Sequence, residues 1–280
     1  MRVPIVGSND ADDQLMIKGV TTKRLLAALS ASALLALVPL LASAITFGHV
    51  DTDNRYPFVA MLAFYDANGD YSHRCSGTLM TPTVVVTASH CTDGMSSTRA
   101  YFDVEVTDDF RNDPRKGVTG TPVTHPQFNP NNLDNDVAVV LLDKSVRLGE
   151  SPVLTAEGFL SDLKAAGQIA DDTFLAVGYG GQSGPHPGSL TFDLFRRFVT
   201  SEYAGLTQQQ LHLDQNPKTG GGGTCGGDSG GPHFWQDTLI LVSVTSWGDP
   251  LCRANDMTAR VDTAAAQAFL ASYGVTAPAG

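Results

Sequence analysis

The chain has 280 residues, 42% hydrophobic and 17% charged, enough for one or two cored domains. Its formal charge of −11 argues against nucleic acid and anionic membrane as partners, since both reward a basic surface. A zinc site would need close Cys or His pairs, and there is no C-x-x-C or H-E-x-x-H in the sequence.

In chain order, Lys23-Arg24 precede an apolar run from Leu25 to Leu41 and then Ala42-Ser43-Ala44. A basic start, an apolar stretch and a small-x-small ending describe a secretory leader, here residues 1–44. A membrane anchor is the competing reading, but the run is at the short limit for spanning. Residues 1–15 are polar and acidic, unlike the start of a leader, so Met16 is a candidate true start. The leader holds four basic and three acidic residues, and its loss makes the remainder slightly more acidic. All four cysteines follow it. An even count in an exported chain reads as disulfides, with three possible pairings.

Beyond the leader, strand-like runs recur at Phe58–Tyr65, Thr83–Thr87, Asp136–Leu142, Thr173–Val177 and Leu239–Ser246. Gly, Pro and Asn punctuate at residues 66–69, 129–131 and 181–188. Short strands at this spacing predict a barrel or sandwich. Only Asp262–Tyr273 is rich in helix formers, with Ala265, Phe269 and Leu270 as its apolar stripe. Gly220–Gly223 lacks the Gly-Lys-Ser/Thr of a phosphate loop and reads as a flexible wall segment.

The chemistry concentrates in Thr224-Cys225-Gly226-Gly227-Asp228-Ser229-Gly230-Gly231-Pro232. Ser229 offers a nucleophile, and the N–H groups of Gly227 and Ser229 can converge on an oxyanion. Asp228 offers a carboxylate to hold the loop. A serine hydroxyl is a poor nucleophile alone and needs a base and an orienter. Val86-Thr87-Ala88-Ser89-His90-Cys91 supplies a histidine. Asp134-Asn135-Asp136-Val137-Ala138 supplies two acids, of which Asp136 stands at the start of an apolar alternation. A lipase-type G-x-S-x-G needs a helix after the serine, and none is indicated here.

The order His90, Asp136, Ser229 resembles the trypsin/chymotrypsin-type serine endopeptidases, whereas subtilisins run Asp-His-Ser and α/β-hydrolases Ser-Asp-His. The resemblance covers Ile45 to about Val275. It implies an all-β fold of two six-stranded antiparallel β-barrels packed together, with a C-terminal α-helix. Barrel one would span about 45–148, barrel two about 149–260, and the helix about 262–273. His90 and Asp136 would come from the first barrel and Ser229 from the second. It also implies disulfides Cys75–Cys91 and Cys225–Cys252. Ile45-Thr46-Phe47-Gly48 resembles the family's mature start, departing from it at Thr46 and Phe47. A cut after Ala44 would free the Ile45 amine to pair with Asp228. Ser246-Trp247-Gly248 resembles the strand that lines the substrate cleft, with Ser246 bonded to Asp136. Thr224 would also touch substrate. Gly223 stands where trypsins carry an Asp at the pocket base, and Asp256 falls on the far pocket wall, which together predict acceptance of basic and large apolar residues. His125 reads as structural, and His73 and His233 as shaping the site walls. The implied activity is peptide-bond hydrolysis on protein or peptide substrates, with no metal or cofactor, by a secreted monomer. A non-catalytic exported binding protein on the same fold is the competing function, but such members usually lose a triad residue and this chain keeps all three.

Overall fold

The computed structural model describes residues 45–111, 116–147, 149–183, 190–219 and 221–278. The expected leader therefore lies outside the described residues. In chain order the elements are β1 (His49–Val50), β2 (Val59–Tyr65), β3 (Tyr71–Thr81), β4 (Val84–Thr87), α1 (Ser89–Thr92), β5 (Ser97–Tyr101), β6 (Val118–Val123), β7 (Ala138–Leu142), β8 (Val153–Leu154) and α2 (Phe159–Ala165). There follow β9 (Thr173–Gly178), β10 (Gln182–Ser183), β11 (Leu190–Thr191), β12 (Arg197–Leu206), β13 (Gln210–Asp214), β14 (Pro232–Trp235), β15 (Ile240–Gly248), β16 (Asn255–Arg260) and α3 (Ala264–Ala271).

Two closed six-stranded antiparallel barrels result. The first runs β2-β3-β4-β7-β6-β5. The second runs β12-β13-β16-β15-β14-β9 and closes through β9 on β12. Closure removes the exposed edges that an open sheet would present. β2 reads VAMLAFY and is buried from Val59 to Phe64 without alternation. One of its faces fills its own barrel and the other meets the second barrel, so neither tolerates a polar residue. At that seam the Phe58 ring packs edge-on to Phe234 at 5.9 Å.

Between the barrels, Arg196 is fully buried. Its Nε donates to Asp51 Oδ2 at 2.8 Å, and its Nη1 donates to the carbonyls of Val59 and Phe102 and to the Tyr179 hydroxyl. Tyr179 in turn donates to the Asp103 carbonyl at 2.6 Å. A buried guanidinium is tolerable only when its charge is paired and its donors are used, and here they are. Burial pushes the Tyr179 hydroxyl far above its ordinary range.

Two features differ from the sequence expectation, the N-terminal segment and α2. The first barrel does not begin at Ile45, because β1 pairs with β12 of the second barrel, His49 opposite Phe198 and Val50 opposite Arg197. The N-terminal segment is thus a strap on the second barrel. The tail does the converse. His125, before β7, sits against Phe269 of α3 at 4.7 Å and its Nε2 bonds the Ala265 carbonyl. Finally, α2 was not anticipated. Its Phe159, Leu160 and Leu163 pack into a small satellite core, and Asp262 Oδ2 accepts the Leu160 N–H in place of a local cap. Among the described residues no helix is long and apolar enough to cross a membrane.

Candidate active site

His90 is the second residue of α1, directly after β4. Two devices fix it. Ser89 Oγ donates to the Val137 carbonyl at 2.8 Å and accepts the His125 N–H, which ties the turn to the segment carrying Asp136. The Cys75–Cys91 disulfide then pins the next residue to β3. Asp136 is fully buried and takes three bonds: the His90 main-chain N–H at 2.8 Å, His90 Nδ1–H at 2.8 Å and the Ser246 hydroxyl at 2.5 Å. With Nδ1 committed, the other ring nitrogen carries the lone pair. Nε2 meets the Cys91 sulfur at 3.7 Å. Asp134, by contrast, accepts from the Asn132 side chain and takes no part. Among the described residues no hydrogen bond joins His90 Nε2 to the Ser229 hydroxyl. Such bonds are commonly long before substrate arrives.

The nucleophile loop is built from its own main chain. Asp228 N–H donates to Cys225 O, Gly231 N–H to Asp228 O and Gly230 N–H to Thr245 O. The N–H groups of Gly227 and Ser229 have no such partner among the described residues. Two unspent donors flank a fully used one, which is the requirement for an oxyanion site. Gly227 has φ +101° and Gly230 φ +75°, conformations that L side chains rarely hold. A Cβ on Gly230 would also stand 2.0 Å from Thr87 Oγ1 and 2.7 Å from the Ala88 N. This close approach seats the Ser229 loop on the end of β4, directly before His90.

Asp228 points inward and is fully buried. Its Oδ1 accepts the Gly180 N–H at 2.7 Å and its Oδ2 the Cys225 N–H at 2.9 Å. Among the described residues it has no cationic partner within ion-pair distance. Burial pushes its carboxyl up to about 7, the nearby Asp256 adding to the rise, while the two N–H bonds and Arg74 oppose it. Ile45 is buried too. In this chain its nitrogen belongs to a peptide bond, and no ion pair with Asp228 forms. Thr46 makes the firmer anchor. Its carbonyl accepts the Gly223 N–H, and its hydroxyl donates to Cys252 O at 2.9 Å and to Gly223 O at 3.2 Å.

A cavity of about 280 Å³ opens beside Ser229, walled by Thr224–Gly226, Thr245–Gly248 and Cys252. The Cys225–Cys252 disulfide joins its two sides. Two expected pocket residues are absent from its wall. Gly223 lies behind the cavity, and the Gln215 side chain occupies the space a Cβ there would enter, with Oε1 2.0 Å away. Asp256 is fully buried with its Oδ2 3.1 Å from His233 Nε2. Its position in β16, paired with both β13 and β15, turns the carboxylate into the barrel. Gln215 is a residue that sequence reasoning missed, and no motif marks it. Its Nε2 donates to the Asn255 carbonyl at 2.8 Å and to Asp249 Oδ1 at 3.3 Å. Asp249 does line the cavity. Partial burial raises its carboxyl, but the N–H groups of Asn255, Ala254 and Arg253 outweigh this and hold it below the usual carboxylate range. Those donors also fill its acceptor sites.

Among the described residues, the side chains close enough to share a metal ion are Cys75, His90 and Cys91. Both sulfurs are spent in a disulfide, so neither offers the thiolate a metal requires.

The family described as Trypsin matches residues 45–268. The chain is 30% identical to a trypsin of Saccharopolyspora erythraea over 71% of its own length and 84% of that protein. It is 29% identical to a venom serine protease of Polistes dominula over 71% and 74%. Trypsin, alkaline C, of Manduca sexta is 28% identical over 82% and 91%. The solved structure of HL collagenase shares the fold, with TM-score 0.66 at 18% identity, covering 82% of this chain and 98% of that one. The chain belongs to the trypsin family and is a serine endopeptidase.

Proposed function

We propose that Ser229 attacks the scissile carbonyl while His90 Nε2 takes its proton, and that Asp136 holds the imidazole and stabilises the imidazolium. The N–H groups of Gly227 and Ser229 receive the oxyanion of the tetrahedral intermediate. On its collapse His90 passes the proton to the leaving amine. Water then attacks the acyl-enzyme by the same route. The observation carrying this reading is the commitment of His90 Nδ1 to a buried Asp136 at 2.8 Å, which leaves Nε2 as the proton acceptor. Loss of one oxyanion donor costs ~3–4 kcal/mol of barrier on the usual scale, so the two unspent N–H groups are a main part of the rate. The residues before the scissile bond pair with the exposed end of β15 at Trp247-Gly248. The side chain next to the bond enters the cavity, where Asp249, the one carboxylate among the described lining residues, is already saturated by main-chain donors. Large uncharged side chains fit this wall best.

We further infer that the chain is exported, that residues 1–44 are removed, and that the freed Ile45 amine pairs with Asp228 in a monomeric enzyme. The leader-like sequence and the lack, among the described residues, of a cation within ion-pair distance of Asp228 support this.

The test is purified protein beginning at Ile45 against Ser229→Ala and His90→Ala. Each variant is expected to lose at least about a thousand-fold in kcat while keeping its circular dichroism. Near-normal peptide cleavage by Ser229→Ala would overturn the mechanism.

A further inference from the structure

Arg74 sits on β3 next to Cys75 and approaches the nucleophile loop from the first barrel. Its Nε lies 3.4 Å from where a Cβ on Gly227 would stand. Its guanidinium carbon is 4.7 Å from the centre of the Phe192 ring. That Nε is buried and has no hydrogen-bond partner among the described residues. The ring of Phe192, half exposed, packs in turn on Gly181, whose N–H donates to Gly226 O at 2.9 Å. Phe192 and Arg74 thus form a ledge beside the oxyanion donor Gly227.

Arg74 is not part of the cavity wall. The cavity and the end of β15 lie on the acyl side of Ser229. Arg74 lies on the strand that the Cys75–Cys91 disulfide joins to His90's neighbour, and His90 serves the leaving amine. A substrate running out of the cavity past Ser229 therefore crosses Arg74 with its leaving-group residues. A planar guanidinium stacked on an aromatic face suits a carboxylate.

We propose that Arg74 is a specificity residue for the leaving-group side, taking the carboxylate of an Asp or Glu one or two residues past the scissile bond. This rests on the catalytic assignment above for the direction of the substrate. The competing role is structural, as a distant counter-charge to the buried Asp228.

The test uses short peptides identical except for Asp, Asn or Lys at the first or second residue after the scissile bond. In the native enzyme the Asp peptide is expected to exceed the Lys peptide about ten-fold in kcat/KM, carried by KM and shrinking at high salt. Arg74→Gln should bring the ratio to about one, and Arg74→Lys should keep part of it. A binding arm in Ser229→Ala protein measures Kd for the same peptides and needs no turnover. If the catalytic assignment fails, cleavage vanishes in the native enzyme but the binding arm still decides on Arg74. Equal Kd for Asp and Lys peptides, or a preference that survives Arg74→Gln, would overturn the proposal. A purely structural role would change the melting temperature of Arg74→Gln and leave the Asp-to-Lys ratio as it was.

Discussion

The main-chain N–H of Ser76 donates to the carbonyl of Ser229 at 2.8 Å, joining a strand of the first barrel to the loop of the second that carries the proposed nucleophile. The Ser76 side chain repeats the link. Its hydroxyl donates to Gly227 O at 3.0 Å and accepts the Tyr179 N–H at 3.1 Å, and its carbonyl accepts the Thr87 hydroxyl. One buried serine therefore grips both residues whose N–H groups are left open for an oxyanion. The two halves of the proposed site lie on different barrels, and this bracket sets their registration more directly than the general packing of the seam.

Ser76→Ala should accordingly weaken catalysis more than binding. It leaves the Tyr179 N–H and the Gly227 carbonyl each short of a partner, at a cost of ~1–3 kcal/mol. We expect kcat to fall about ten- to a hundred-fold with KM within about two-fold, since a displaced Gly227 is a partial loss of one donor. Steady-state kinetics check this. An unchanged kcat in a folded variant would separate the bracket from the oxyanion site.

The Thr46 hydroxyl should act on the other side of Ser229. Thr46→Val keeps the shape but leaves the Gly223 and Cys252 carbonyls without that donor. These carbonyls belong to the segments flanking the Cys225–Cys252 bridge across the cavity. The expected result is a KM raised about three- to ten-fold with little change in kcat, and rescue by Thr46→Ser. Equal losses in kcat and kcat/KM would place the strap in the catalytic step instead.

Asp228 gives the uncleaved chain a distinctive pH profile. Burial raises its folded carboxyl from 3.8 to about 7. The folded state therefore binds more protons than the unfolded state between those values, and stability falls as pH rises through the window. The contribution is whole below about pH 4, is lost by about pH 7 and is flat above, a swing on the order of 4 kcal/mol. Urea midpoints of the uncleaved Ser229→Ala chain should be lower at pH 8 than at pH 5 by more than those of a Ser229→Ala, Asp228→Asn chain. Protein beginning at Ile45 should lose less over the same window, because a free amine supplies the missing cation. Identical profiles for the uncleaved chain and its Asp228→Asn counterpart would rule out Asp228 as the source.

The positions of His90, Asp136 and Ser229 could be picked out because each has a local signature; the strand spacing alone gave a barrel or sandwich, and the two barrels followed from the resemblance that the triad order carried. Small residues flank Ser229, a short apolar strand precedes His90, and another follows Asp136. The Asp136–Ser246 contact was expected from the resemblance alone, since the triplet Ser246-Trp247-Gly248 has no signature of its own. What could not be read are side chains whose role is set by a partner far along the chain. Ser76 is an unremarkable strand serine until Gly227 stands 3.0 Å away. Gln215 becomes a cavity neighbour only because Gly223, eight positions on, has no side chain to exclude it. Helix α2 is short and gains its core contacts and its cap from residues beyond it, above all Asp262. β1 is two residues long, below what any periodicity can reveal, so its transfer to the second barrel was invisible.

Asp256 is the sharpest instance, and it yields the last prediction. Its register in β16 was read one way from sequence, as a carboxylate on the pocket wall. The barrel turns it inward, where His233 of β14 supplies the partner that burial demands, with both side chains wholly removed from solvent. Its role is then to hold β14 to β16, and substrate should not sense it. Asp256→Ser is expected to destabilise the fold by ~3–5 kcal/mol, the usual cost of breaking a buried pair by removing one partner. The ratio of cleavage after Arg or Lys to cleavage after Phe or Leu should stay as in the native enzyme. A second measurement isolates the pair. In a His233→Leu background the cost of Asp256→Ser should shrink by ~1–3 kcal/mol, the range found for residues in direct contact. Loss of cleavage after Arg and Lys with cleavage after Phe and Leu retained would return Asp256 to the pocket wall. Additive costs in the double variant would show that the two side chains do not depend on one another.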